Sequence, residues 1–172
     1  VLHNKENYNE RQKIPCFFVE DLFQRQKEIC LNFYNIREES LKFLIFTGTN
    51  GKTSTAYFSY QILLNTNKDA VLAGTLGLES RTRFKETRNT TPNILELFEF
   101  ISKEEYEDHL FICIEASSHG LEQNRLVGID AETRAILNIE QDHLDFHKNI
   151  KNYIDSKPVS YTHLTLPTKS GV

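Results

Sequence analysis

Phe46-Thr47-Gly48-Thr49-Asn50-Gly51-Lys52-Thr53-Ser54-Thr55 decides the fold. Before it lies Leu41-Lys42-Phe43-Leu44-Ile45-Phe46, a short apolar run of the kind buried in a parallel sheet; after it, residues 56–64 carry apolar side chains at helical spacing. Strand, loop and helix in that order make a phosphate-binding turn. Gly48 and Gly51 let the backbone fold tightly, so that successive N–H groups converge on phosphate oxygens. The positive end of the following helix dipole points at the same place. Lys52 is expected to reach the β and γ phosphates, and Thr53 to place its hydroxyl on a bridging Mg²⁺. Thr49, Asn50 and Ser54 complete the expected nucleotide-binding stretch. A generic P-loop has glycine where this chain has Phe46, so the generic spacing fails at its first residue. A plain glycine turn with an incidental Lys-Thr is the competing reading. ATP use is the leading hypothesis.

Composition narrows the function classes. The 172 residues suffice for one domain or a little more, with 39% hydrophobic residues for a core. A net charge of −4 with scattered lysines and arginines gives no basic stripe, which argues against nucleic acid as a partner. Cys16, Cys30 and Cys113 fall in apolar stretches without CxxC spacing, as buried reduced thiols do in a cytoplasmic protein. No apolar run approaches membrane-spanning length and the N-terminus does not read as a signal peptide, so a soluble protein without a membrane partner is expected.

The pattern from Leu41 is strand, phosphate loop and helix to about Leu64, a strand at residues 70–73, a loop, and a helix at about 93–105. Strands at 110–116 and 133–138 follow. This alternation predicts an α/β fold, a mostly parallel sheet with flanking helices. Upstream, residues 1–13 read as a loop or exposed end and residues 14–19 as a strand. Asp21 reads as the cap of a helix with Leu22, Ile29, Cys30 and Phe33 on one face. Residues 1–40 are expected to be the tail of a preceding domain, with 35–40 as its linker.

Three polar constellations follow the loop, and ligands in such sheets bind beyond the carboxyl ends of the strands. Asn89-Thr90-Thr91-Pro92-Asn93 precedes a helix and, read alone, is foremost an N-cap. Glu115, at the end of a strand, is placed as a second Mg²⁺ ligand, because a hard cation takes oxygen ligands close to the phosphates. Ser117, Gln123 and Arg125 can bind an acidic substrate, Arg125 through a charge-assisted bond; surface loop chemistry is the alternative. His143, in Asp142-His143-Leu144-Asp145-Phe146-His147, matches no common structural zinc spacing and fits Mg²⁺ with nucleotide better. Ser118 beside His119 is not a hydrolase pair, since sequence neighbours rarely form a triad.

In order and separation, residues 47–55, 89–92, 115–125 and 142–147 resemble the central domain of Mur ligases, most closely the E-type enzymes that make UDP-N-acetylmuramoyl-tripeptide. The resemblance spans roughly residues 14–157. It implies that Asn89, Thr90, Thr91, Ser117, Gln123 and Arg125 contact UDP-MurNAc-L-Ala-D-Glu, and that Thr53, Glu115 and His143 help hold two Mg²⁺ ions. Lys157, fourteen residues after His143, matches the family's carbamylated lysine, whose modified oxygen supports the second ion. The implied reaction is ATP-dependent amide ligation of a diamino acid through an acyl phosphate, in an enzyme expected to be monomeric. Under the same resemblance, residues 1–40 are the end of a UDP-binding domain, 41–157 part of the ATP-binding domain, and the isolated fragment is expected to be inactive.

Departures from the family pattern are Glu140 and Gln141, where a small hydroxyl residue and a basic one are usual, and a tail at 158–172. That tail begins with Pro158, where a helix should continue, and resembles a translated sequencing adapter. Two other functions stay open: a folylpolyglutamate synthetase, whose loop typically has glycine at the position of Thr53, and a non-catalytic nucleotide-binding module. The diamino acid is not readable from these residues.

Overall fold

The computed structural model describes residues 17–138 together with a two-residue strand, β1 (Leu2–His3), that pairs in parallel with β2 (Phe17–Phe18). Then follow α1 (Leu22–Tyr34), β3 (Leu41–Thr47), α2 (Lys52–Asn65), β4 (Asp69–Gly74), β5 (Gly77–Glu79) and β6 (Phe84–Lys85). The described chain continues with α3 (Ile94–Ile101), β7 (Leu110–Glu115), α4 (Ser118–Glu122) and β8 (Ala131–Ile136). β3 to β8 form one six-stranded sheet in the order β6-β5-β4-β7-β3-β8. The pairs β4/β7, β7/β3 and β3/β8 are parallel, while β5 and β6 add on antiparallel. The mostly parallel α/β sheet expected from the sequence is what forms.

Alternation along the central strands sorts their side chains between two cores. Leu41, Phe43 and Ile45 of β3 join Val71, Ala73, Ile112 and Ile114 beneath the apolar face of α3, where Ile94, Leu97, Phe98 and Ile101 are buried. Phe46 meets Ala70, Leu72 and Cys113 on the other face, under Ala56 and Tyr60 of α2. Because both faces are covered, the strands read as continuous apolar runs. Burial pushes the Cys113 thiol up to about 12 and raises that of Cys30, so both stay protonated at neutral pH. Cys16 lies outside the described residues.

Several local expectations are corrected. Asp21 makes no side-chain cap bond and sits in the left-handed region at φ 51°. α1 turns Cys30 inward, with Leu31 and Tyr34 packed on the same core, whereas Phe33 is 78% exposed. α1 thus packs against the core of the sheet through Cys30, Leu31 and Tyr34. The strand expected at 14–19 is described only at Phe17–Phe18. α3 ends at Ile101, where Lys103 and Glu104 donate to the carbonyls three residues back and tighten the last turn. The loop expected after residue 73 contains the β5–β6 extension, and residues 118–122 form a helix. Among the described residues no helix is long and apolar enough to cross a membrane.

Candidate functional site

The carboxyl ends of β3, β4 and β7 open onto a cavity of about 460 Å³. It is lined by Gly48, Thr49, Lys52, Thr53, Thr75, Arg88, Asn89, Thr90, Glu115, Ser117, Ser118, His119 and Arg125. Three cationic side chains, Lys52, Arg88 and Arg125, face one carboxylate, a balance that suits phosphates and carboxylates.

The loop after β3 is held by sequence-distant backbone. Gly51 adopts φ 83° as the N-cap of α2, a conformation that favours glycine. At Gly48 a Cβ would come within 3.2 Å of the Asn138 backbone. Asn138, just beyond β8, clamps the loop: its Oδ1 accepts from the Asn50 N–H at 2.8 Å, its Nδ2 donates to the Asn50 carbonyl at 2.9 Å, and its own carbonyl accepts from Thr49 N–H at 3.1 Å. Lys52 Nζ donates to the Gly48 and Thr49 carbonyls at 2.8 and 2.9 Å. Replacing Asn138 by alanine leaves the Asn50 amide without its side-chain partners. With ATP as the phosphate-bearing probe of the loop, we predict a rise of about fivefold in Kd, the scale of one net hydrogen bond, with little change in melting temperature; nucleotide titration and a thermal melt check both.

Glu115, paired across the sheet with Phe46, ends β7 and is fully buried. Its Oε2 accepts from Thr53 Oγ1 at 2.8 Å and from Thr75 Oγ1 at 3.2 Å, and its Oε1 from the Thr75 N–H at 2.9 Å. Gly74 makes room for it, since a Cβ there would lie 2.1 Å from Oε1. Among the described residues Glu115 forms no ion pair, although a buried carboxylate needs a compensating charge. A hydroxyl and an unpaired carboxylate side by side are the hard oxygen donors that Mg²⁺ takes, usually completed by water and substrate phosphate. The donor set therefore fits that ion. No group of three or more His, Cys, Asp or Glu converges among the described residues.

The remaining predicted residues separate into two kinds. Asn89, Thr90, Ser117 and Arg125 line the cavity. Thr91 lies behind it with 0% exposure, its hydroxyl donating to the Glu115 carbonyl at 2.9 Å, accepting from Ser117 N–H at 2.9 Å and meeting Ser117 Oγ at 3.0 Å. Arg125 donates to the Thr91 carbonyl at 2.7 Å and to Gln123 Oε1, so Gln123 orients the guanidinium. Asn93 caps α3 through a 2.9 Å bond from Glu96 N–H, as the capping alternative had it. Asn50, Gly51 and Ser54 are not among the lining residues. His143 and Lys157 lie outside the described residues, as do residues 1–16 apart from β1, and the 158–172 tail. Thr75, Arg88 and His119 were not singled out from the sequence as site residues; Thr75, directly after β4, was accessible to the same strand-end rule that selected Glu115.

The Mur ligase middle-domain model matches residues 46–159. The chain belongs to the Mur ligase family. A Helicobacter pylori UDP-N-acetylmuramoyl-L-alanyl-D-glutamate–2,6-diaminopimelate ligase is 39% identical over 127 residues, 73% of this chain and 28% of that protein. A Streptococcus sanguinis UDP-N-acetylmuramoyl-L-alanyl-D-glutamate–L-lysine ligase is 35% identical over 84% of this chain and 30% of its own length. A solved diaminopimelate ligase of the same type superposes with TM-score 0.69 at 29% identity, covering 89% of this chain and 31% of the other. The chain thus spans under a third of these Mur ligases. The matched stretch holds the glycine loop after β3, residues 89–92 and 115–125, and the segment with His143 and Lys157.

Proposed function

We propose that the protein containing this chain is an ATP-dependent amide ligase of peptidoglycan precursor synthesis, joining a diamino acid to UDP-MurNAc-L-Ala-D-Glu. The observation that carries the reading is that a phosphate loop and an acceptor-side loop open onto one cavity with Glu115 between them. Relatives with this middle domain are named for that ligation.

A carboxylate is a poor electrophile and must be activated. The γ-phosphoryl group passes to the D-Glu side-chain carboxylate, giving an acyl phosphate; the incoming amine attacks its carbonyl and displaces phosphate. Gly48 to Thr53 orient the triphosphate, and Lys52 leaves the loop carbonyls to neutralise the transferring group. Asn89, Thr90, Ser117 and Arg125 hold the acidic acceptor, while Thr91 and Gln123 fix the loop and the guanidinium that do so. Thr53, Glu115 and His143 would hold Mg²⁺, which supplies charge neutralisation at the phosphates; a carbamylated Lys157 would support a second ion. No side-chain nucleophile is needed. The reading includes a cytoplasmic monomer that binds neither nucleic acid nor membrane.

Phosphate release by the product of the complete gene tests this, with UDP-MurNAc-L-Ala-D-Glu and either meso-diaminopimelate or lysine. Release that requires acceptor and one amine supports the ligase; none with either amine sinks it, and the amine that works names the substrate.

A further inference from the structure

Thr75 and Leu76 form the tip between β4 and β5, closed by the facing pair Gly74 and Gly77. Gly77 holds φ 116°, and a Cβ there would press within 2.8 Å of the Lys85 carbonyl. The turn is therefore fixed on both sides by glycines that tolerate no side chain, and it aims two donors of Thr75 at one carboxylate. The N–H takes Glu115 Oε1 at 2.9 Å and the hydroxyl takes Oε2 at 3.2 Å. On its other side the same hydroxyl lies 3.1 Å from Thr90 Oγ1, on the acceptor-side loop. A second tie runs from Thr87 Oγ1 to the Gly74 carbonyl at 3.0 Å.

We propose that Thr75 is a positioning residue for the cation site, holding the Glu115 carboxylate beside Thr53 so that its remaining lone pair stays available to a cation, and linking that carboxylate to the acceptor loop through Thr90. This rests on the ligase reading above. A carboxylate offers about four lone-pair sites, so the three bonds from Thr53 and Thr75 leave room for an ion. Hydrogen bonds that orient a ligating carboxylate typically change metal affinity by about 10–100-fold when removed. Thr75 retains its N–H in any variant, so the hydroxyl alone accounts for the lower end of that range.

The test uses the protein made from the complete gene, with Mn²⁺ as a paramagnetic substitute for Mg²⁺. Mn²⁺ is titrated by electron paramagnetic resonance in the presence of a non-hydrolysable ATP analogue, without acceptor. Thr75→Val keeps the shape and removes the hydroxyl; its Mn²⁺ Kd should rise about tenfold, and Thr75→Ser should return it to within about twofold, with acceptor KM raised in the valine variant only. An Mn²⁺ Kd for Thr75→Val within twofold of the unmodified protein overturns the proposal, even if acceptor KM rises, because Thr75 would then support Thr90 alone. Should the valine variant fail to fold, Thr75→Ala carries the same comparison. An unmodified protein that binds no Mn²⁺ with the analogue overturns the ligase reading itself, which separates the two failures.

Discussion

Replacing Glu115 by glutamine should cut ATP-dependent ligation by about 10³-fold while leaving the metal-free protein at least as stable as before. The two halves of that expectation have one cause. Glu115 is a fully buried carboxylate whose described partners are neutral donors, and a buried charge without an opposite charge costs stability. Glutamine has the same shape. Its carbonyl can keep the bond from Thr75 N–H, and its amide can donate to the hydroxyls of Thr53 and Thr75, since a hydroxyl accepts as readily as it donates. What is lost is the anionic oxygen beside Thr53 that a cation at the phosphates requires. A steady-state phosphate-release assay and a thermal melt of the metal-free protein measure the two quantities. Activity within tenfold of the unmodified protein would remove Glu115 from the cation site. A large fall in melting temperature would assign it a structural role instead.

How much of this was legible depended on how local the cause was. Residues 41–46, 70–73 and 110–116 read as strands because burial on both faces leaves an apolar run, and each run is interpretable by itself. The phosphate loop was legible for the same reason, its glycines, lysine and threonine being adjacent. Asn138 reads in the sequence only as the last residue of an expected strand. Its clamp on Asn50, 88 residues away in sequence, exists because β8 pairs beside β3, and no local pattern encodes that pairing. Thr91 posed a similar problem. The resemblance groups it with Asn89 and Thr90, whereas its burial follows from Gly120, where a Cβ would lie 2.5 Å from the Thr91 Cβ. The β5–β6 extension has no sequence signature, because strands of three and two residues are too short to show a period. The functional weight of Lys157 comes from family resemblance alone, because a lone lysine otherwise reads as a solvated helix charge.

Phe46 marks the one place where this loop departs from the generic motif, and restoring the motif should damage the protein. Phe46→Gly recreates the usual glycine spacing before Lys52, yet Phe46 is the sixth residue of β3, bonded through its carbonyl to Ala116 N–H at 2.9 Å and 5% exposed. Its ring fills the core between the sheet and α2, against Ala56, Tyr60 and Cys113. Deleting a buried phenylalanine ring costs about 3–5 kcal/mol, and glycine within a strand adds about 0.5–1 kcal/mol through its conformational freedom. The turn gains nothing in return, because Gly48 and Gly51 already supply its close approach and its left-handed residue. Amide exchange gives a local readout of the strand and helix concerned. Protection of the β3 and α2 amides should fall by at least about a hundredfold, from roughly 1.4 kcal/mol per factor of ten. Protection within tenfold of the unmodified protein would mean that the core closes over the lost ring, and that Phe46 is in this position for a reason other than packing. The expected loss instead makes Phe46 part of how this chain builds the loop: the strand runs one side chain further into the core, and the turn begins only at Gly48.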